Sequence, residues 1–306
     1  MRMHDKTERL PQRWAHAAAA SALLLGSGVA ATFGGSAVSA AATADSDIHY
    51  VALGDSFAAG SGVFPEHDVS ACFQSELNYP KVVAAQLHAT SFRDATCGGA
   101  TLTDLHDAQP AISGSAGSSA PQFDSLTPDT TLVTMTMGGN DIGLAAQALA
   151  CFNALPQPHG HSCTEQYTAD GRDGMGERLA ALAPGYDRAL DDIHARAPLA
   201  TVVIVGYPTA APPGGCPQQP AWPADVDYLN SVLGRLNDVL RTAATRHGDR
   251  YVDTATPSVG HDMCQTPDRQ WINGLIPSFA SPALAPLHPN AAGEQAIADE
   301  VVATLG

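Results

Sequence analysis

Three short blocks in this chain place reactive residue types at the ends of candidate secondary-structure elements. The first is Gly54-Asp55-Ser56, directly after the apolar run Ile48–Leu53. If that run is a strand, Ser56 stands outside its carboxyl end, where open α/β sheets bind ligands. The small residues around it leave the hydroxyl exposed and approachable. Phe57–Gly62 reads as the start of a helix or as a glycine loop, and the positive end of a helix there favours an oxyanion formed beside Ser56. A serine that only caps a helix after a turn is the other reading. The second block is Met137-Gly138-Gly139-Asn140-Asp141, after the run Thr131–Met137. Its glycines let backbone approach a ligand closely, and the Asn140 amide can donate to a developing oxyanion. Taken alone, this block reads rather as a turn in which Asn or Asp caps a helix. The third is Leu287-His288-Pro289-Asn290, just before the last helical pattern, where His288 can serve as a general base. With 12 histidines in the chain, one histidine says little, but the order of the three blocks says more.

The elements that position these blocks follow from the apolar periodicity. Ile48–Leu53, Thr131–Met137, Thr201–Val205 and Arg250–Asp253 read as strands, with a weaker candidate at Ser91–Ala95. Continuous β-branched runs suit strands buried on both faces of a parallel sheet. Helical patterns lie between them. Ala224–His247 puts Val226, Leu229, Val232, Leu233, Leu236, Val239 and Leu240 on one face, with Gly248 as its C′ residue. Met175–Ala197 is periodic too, and Pro184-Gly185 predicts a break into two pieces. Asn290 caps a last helix whose core face is Ile297, Val301 and Leu305. Ser113–Ala120 is rich in Gly and Ser and reads as a flexible loop. Strands alternating with helices indicate an α/β sheet with right-handed crossovers. There is no internal repeat and no interdomain linker, so residues 45–306 are read as one catalytic domain.

Composition limits the function classes. The chain has 306 residues, 44% of them hydrophobic and 15% charged, enough apolar material for one sizeable core. Its formal net charge of −16 makes it a poor candidate for nucleic-acid binding or for an electrostatic anchor on anionic membrane. Arg2, Lys6, Arg9 and Arg13 open a segment that continues with a weakly apolar run from Ala15 to Phe33. The small-residue sites Val38-Ser39-Ala40 and Ala42-Thr43-Ala44 follow. Residues 1–44 thus have the layout of a secretory signal peptide, with cleavage near 40 or 44. They hold four basic and two acidic groups, so the chain without them carries −18. That acidity fits a soluble, secreted monomer. Six cysteines follow the segment: Cys72, Cys97, Cys151, Cys163, Cys216 and Cys264. None forms a C-x-x-C pair, so no metal site is expected. An even count in an oxidising compartment reads as three disulfides of open connectivity.

Taken together, the blocks resemble those of the SGNH hydrolases, the GDSL esterases and lipases, and most nearly their secreted actinobacterial branch. Gly54-Asp55-Ser56 matches the first family block and Gly139-Asn140-Asp141 the third. Leu287-His288-Pro289-Asn290 lies where the family has its histidine, and Cys97-Gly98-Gly99-Ala100 resembles the second block, with Gly99 as its glycine. The resemblance spans about residues 48–305. It implies a flavodoxin-like three-layer α/β/α fold with a parallel five-stranded sheet and no cofactor or metal. It implies that Ser56 is the nucleophile and His288 the general base. The oxyanion hole would comprise the N–H groups of Ser56 and Gly99 and the side chain of Asn140. The secreted branch further implies the sequential pairs Cys72–Cys97, Cys151–Cys163 and Cys216–Cys264, each adding ~2–4 kcal/mol on the chain-entropy estimate.

One position departs from the family. Many members carry an Asp three residues before the histidine, and here that residue is Ala285. Its main-chain carbonyl is the expected partner of His288 Nδ1, as in some secreted relatives. Asp262 and Asp268 are the carboxylates that the fold could bring near. Asp55 and Asp141 read as turn-bonding carboxylates, and His261 as a loop residue. The expectation is a secreted serine esterase or lipase acting on a small-molecule or lipid ester through an acyl-enzyme. A carbohydrate O-acyl esterase is the nearest rival. A non-catalytic binding protein on the same fold is the rival from another class.

Overall fold

The computed structural model describes residues 47–67, 72–111, 117–276 and 285–306. The N-terminal segment read as a signal peptide lies outside the described residues, as does much of the Ser113–Ala120 loop. Nine strands occur among the described residues: β1 (His49–Gly54), β2 (Glu66–His67), β3 (Gln74–Ser75), β4 (Ser91–Asp94), β5 (Gln109–Pro110), β6 (Ser118–Ser119), β7 (Leu132–Thr136), β8 (Thr201–Val205) and β9 (Arg250–Val252). Five of them form a parallel sheet in the order β4-β1-β7-β8-β9, and the others make two small hairpin-like pairs. Counted within the sheet alone, this is the 2-1-3-4-5 order of the flavodoxin-like doubly wound fold. The helices are α1 (Ser56–Ala59), α2 (Tyr79–Gln86), α3 (Leu144–Ala150), α4 (Cys163–Tyr167), α5 (Gly174–Arg196), α6 (Pro223–His247) and α7 (Ala291–Leu305).

The period-2 alternation of the strands splits the core between the two faces of the sheet. Val51, Leu53, Val133, Met135, Val202 and Ile204 point to one face and pack against Leu182, Tyr186 and Leu190 of α5 and Leu236 and Leu240 of α6. Tyr50, Ala52, Leu132, Val203, Val205 and Val252 point to the other, against Tyr79 and Val83 of α2 and Ile297 and Val301 of α7. All the strand pairings of this sheet are parallel, with Tyr50 opposite Leu132 and Leu132 opposite Thr201. Three layers therefore follow from strands that are apolar on both faces.

One helix differs from the sequence expectation. Pro184 and Gly185 do not break α5, which runs unbroken from Gly174 to Arg196. Pro184 forfeits one backbone hydrogen bond, but Met175, Leu179 and Leu182 before it and Tyr186, Leu190 and Ile193 after it all lie in the same core. Breaking the helix would withdraw one of those sets, each residue worth ~1.5–3 kcal/mol on burial, against ~3 kcal/mol for the proline. Gly185 has a packing reason as well, since a Cβ there would lie 3.1 Å from the Leu102 side chain. At the other helix ends the sequence signals hold: Gly248 caps α6 with φ 76°, and the Asn290 side chain accepts from Ala292 and Gly293 at the start of α7.

Candidate active site

In this strand order the connections from β1 and from β7 diverge. A doubly wound sheet has its ligand crevice at such a switch point, beyond the carboxyl ends of the strands. Ser56 follows β1 and Asn140 follows β7, so both stand at that edge.

The turn that presents Ser56 requires glycine. Gly54 has φ +147°, and a Cβ there would lie 2.6 Å from both the Ala58 Cβ and the Thr136 carbonyl oxygen. Gln122 holds the same residue from the side, accepting from its N–H at 2.8 Å and donating to its carbonyl at 2.9 Å. Asp55 caps the short helix α1, its Oδ1 accepting from Phe57 N–H at 3.0 Å. α1 has only four residues, so it contributes little macrodipole. What it offers is the N–H of its first residue, Ser56, which has no acceptor among the described residues.

His288 lies outside regular structure, yet it is held on both sides. Asn273 N–H donates to the His288 carbonyl at 2.9 Å, Leu287 N–H donates to the Asn273 carbonyl at 3.0 Å, and Asn290 N–H donates to the Trp271 carbonyl at 2.8 Å. His288 Nε2 is 2.7 Å from Ser56 Oγ, and Nδ1 is 2.8 Å from the carbonyl oxygen of Pro286. A carbonyl only accepts, so Nδ1 carries the proton and Nε2 receives from the serine. The orienting carbonyl is therefore that of Pro286, not of Ala285. The reason lies in the backbone: Leu287 takes φ +62°, and this left-handed turn brings the Pro286 carbonyl back onto the imidazole. The Ala285 carbonyl instead accepts a long bond, 3.5 Å, from Asn273 Nδ2. Burial pushes the His288 imidazole below its ordinary value, with the Pro286 carbonyl working in the opposite direction.

The two candidate carboxylates are occupied elsewhere. Asp262 accepts from Cys264 N–H at 2.9 Å and from Gln265 within its own loop. Asp268 is exposed, and a hydrogen bond from Thr266 holds its carboxyl below the usual range. Asp141 accepts from Leu102 N–H at 3.0 Å, and His261 stacks on Trp271 at 3.8 Å, both roles within loops.

Asn140 Nδ2 donates to the Ala100 carbonyl at 3.0 Å, which leaves its second amide hydrogen available. Gly99 has φ +75° in the turn between Cys97 and Ala100, and its N–H has no acceptor among the described residues. The second block is thus tied to the third through Ala100. It is tied to β1 by Cys97 N–H on the Gly54 carbonyl at 3.0 Å. Disulfides join Cys72 to Cys97, Cys151 to Cys163 and Cys216 to Cys264.

Sequence reasoning missed two features besides Pro286. The first is Tyr207, after β8 at the same sheet edge. Its hydroxyl donates to Asp55 Oδ2 at 2.5 Å and accepts from Gly139 N–H at 2.9 Å. Burial raises Asp55 to about 7, against the lowering effect of the Tyr207 bond. The signal was available, because Tyr207-Pro208 directly follows a strand and Gly206, as Asp55-Ser56 follows β1 and its last residue, Gly54. The second is a cleft of about 260 Å³ beside Ser56 and His288. Leu144, Ala145, Ala148 and Leu149 of α3 line it, with Val226, Leu229 and Leu233 of α6 and with Met263, Leu275 and Leu287. These residues come from five stretches of the chain, and only the fold brings them together.

Comparison with known proteins agrees with this architecture. Residues 52–296 match the family model described as the GDSL-like Lipase/Acylhydrolase family. Lipase 2 of Streptomyces coelicolor is 38% identical over 276 residues, covering 87% of this chain and 89% of that protein. A lipase of Streptomyces rimosus is 31% identical over 280 residues, covering 91% and 93%. Among solved structures, the extracellular lipase from Streptomyces rimosus superposes with a TM-score of 0.67 at 25% identity, over 84% of this chain and 99% of that one. Phospholipase A1 from Streptomyces albidoflavus NA297 gives 0.65 at 25% identity, over 83% and 98%. The protein is an enzyme of the carboxylic ester hydrolase class. It belongs to the GDSL-like lipase/acylhydrolase family.

Proposed function

We propose that the protein is a secreted esterase or lipase that cleaves apolar acyl esters through an acyl-enzyme on Ser56. The observation that carries the reading is the 2.7 Å contact between Ser56 Oγ and His288 Nε2 at the mouth of a leucine-lined cleft. Ser56 Oγ attacks the ester carbonyl as its proton passes to Nε2, and the carbonyl oxygen becomes an oxyanion. The N–H of Ser56, the N–H of Gly99 and the amide of Asn140 are the donors assigned to it. Collapse of the intermediate expels the alkoxide, which takes the proton back from Nε2. Water then repeats the cycle on the acyl-enzyme and releases the acid. The Pro286 carbonyl fixes the tautomer and the ring orientation, and it offers the imidazolium a dipole in place of a carboxylate.

The apolar lining favours an acyl chain over an acetyl group, which would leave Leu229, Leu233 and Met263 uncovered. This counts against the carbohydrate O-acetyl esterase reading, and the Ser56–His288 contact counts against a non-catalytic binding protein. Secretion is supported by the layout of residues 1–44 and by the pairing of all six cysteines. It is also supported by the similarity to an extracellular Streptomyces lipase. Among the described residues no helix is long and apolar enough to cross a membrane. The enzyme acts as a monomer on this reading.

The test is a p-nitrophenyl ester series from acetate upward, run beside Ser56→Ala. Turnover that rises with chain length and vanishes in a folded Ser56→Ala variant is expected, with a fluorophosphonate probe labelling Ser56 alone. Full activity in the alanine variant, or labelling at another serine, refutes the assignment.

A further inference from the structure

We propose that Tyr207 is a positioning residue for ester hydrolysis. Its hydroxyl ties the loop carrying Ser56 to the loop carrying Asn140, and so holds nucleophile and oxyanion donors in one register. The inference rests on the roles given above to Ser56 and Asn140.

A tyrosine buried for packing alone needs a single partner for its hydroxyl. Tyr207 is 1% exposed and has two, each next to a residue of the site. It donates to Asp55 Oδ2 at 2.5 Å, and the other oxygen of that carboxylate accepts from Phe57 N–H at 3.0 Å. Asp55 and Phe57 flank Ser56, so this carboxylate grips the chain on both sides of the nucleophile. The hydroxyl also accepts from Gly139 N–H at 2.9 Å, one residue before Asn140. The path continues from the Asn140 side chain to the Ala100 carbonyl, next to Gly99. One path of hydrogen bonds and intervening backbone therefore links the three residues assigned to the oxyanion, Ser56, Asn140 and Gly99.

The tyrosine is itself fixed from α6. Asn237 Oδ1 accepts from Tyr207 N–H at 2.8 Å, and Asn237 Nδ2 donates to the Tyr207 carbonyl at 2.8 Å. The ring meets Phe57 edge-on at 4.9 Å, and Phe57 in turn packs against His288 at 4.6 Å. Space at the junction is tight, since a Cβ on Gly139 would lie 3.2 Å from the Tyr207 hydroxyl oxygen. Small displacements of reacting groups are costly, about 100-fold for a shift near 1 Å. A strut that fixes two loops at once is therefore worth a measurable part of the rate.

The experiment uses the intact protein carrying Tyr207→Phe, assayed on a p-nitrophenyl ester, with circular dichroism and the unfolding midpoint measured alongside. The expected result is a fall of about 10- to 100-fold in kcat, with KM held within about threefold. Phosphonylation of Ser56 slows by a similar factor. Affinity for an alkylboronic acid, which forms a tetrahedral adduct on the serine, weakens in step. A merely structural tyrosine lowers the unfolding midpoint without separating kcat from KM. Asp55→Asn provides the second variant, since its amide oxygen still accepts from Phe57 N–H while the NH2 that replaces Oδ2 cannot accept from the tyrosine hydroxyl. It is expected to show the same split, and the double variant to lose no more than the worse single. A folded Tyr207→Phe protein with wild-type kcat and phosphonylation rate overturns the proposal. If Tyr207→Phe does not fold, a folded Asp55→Asn with wild-type values overturns it. Failure of the wild-type protein to label on Ser56 would sink the reading of the site itself. Normal labelling in both wild type and Tyr207→Phe would sink this inference alone.

Discussion

Removing the Cys72–Cys97 bridge by paired serine substitutions separates two consequences that are usually confounded. The bridge closes a loop with a sequence separation of 25, against 12 for Cys151–Cys163 and 48 for Cys216–Cys264. Loop-closure entropy then assigns about 3.5 kcal/mol to the first, about 2.8 to the second and about 4.1 to the third. At 2–4 °C per kcal/mol for a chain of this size, losing the first lowers the unfolding midpoint by roughly 7–14 °C. Activity should follow a different order. Cys97 lies two residues before Gly99, and Gly98 N–H donates to the Cys72 carbonyl at 2.8 Å, so this bridge supports the turn of Gly99, whose N–H is the proposed oxyanion donor. The paired variants are compared by urea unfolding and by kcat on a short ester, well below each midpoint. Cys216–Cys264 should cost the most stability and Cys72–Cys97 the most activity. Removal of Cys72–Cys97 with undiminished kcat refutes the link to Gly99. A stability order that runs against loop length refutes the entropic argument.

Further expectations follow from the same geometry. In Ser56→Ala protein, the NMR titration of the His288 ring should give a pKa below the ordinary 6.5, because burial dominates and the partner is neutral. The neutral base then persists as the pH falls through 6.5, and a midpoint above that value would mean that a carboxylate reaches Nδ1. Asp262→Asn and Asp268→Asn should each keep kcat within a fewfold of wild type; loss on the order of 10⁴ in a folded variant would reveal a true triad acid. Ala148→Phe fills the cleft between α3 and α6, and should cut kcat/KM for long acyl chains about 10-fold or more while sparing acetate, since each buried methylene is worth ~0.8 kcal/mol. Equal losses across the series would move the acyl chain out of this cleft.

Much of the sheet is legible in the sequence because its central strands β1, β7 and β8 are buried on both faces. Thr201–Val205 is recovered residue for residue, and Arg250–Asp253 and Ser91–Ala95 each to within one residue. The placement of Ser56, Asn140 and His288 at element ends is legible for a related reason: glycines or a helix cap mark those ends. The continuity of α5 is not legible, because the penalty at Pro184 is local while the compensation comes from a core assembled from distant segments. The partner of His288 Nδ1 depends on one torsion at Leu287, a residue with no intrinsic preference for left-handed backbone. Tyr207 is a third case, since its role rests on two contacts to residues 152 and 68 positions away, which no local pattern encodes.

The neutral partner of His288 has a consequence for how charge is distributed during turnover. On the proposed mechanism, when the imidazole takes the serine proton no carboxylate among the described residues bonds to Nδ1, so its new positive charge and the oxyanion make a lone dipole across a few ångströms. The attraction between such charges grows as water is excluded. On the proposed placement of the acyl chain, the excluding agent in this cleft is the substrate itself, covering Leu229, Leu233 and Met263 of the lining. An acyl chain that fills the cleft therefore lowers the dielectric around the very charge pair its own hydrolysis creates. Chain length on this account acts on kcat as well as on KM, and the enzyme is selective through the quality of its solvent as much as through the shape of its pocket.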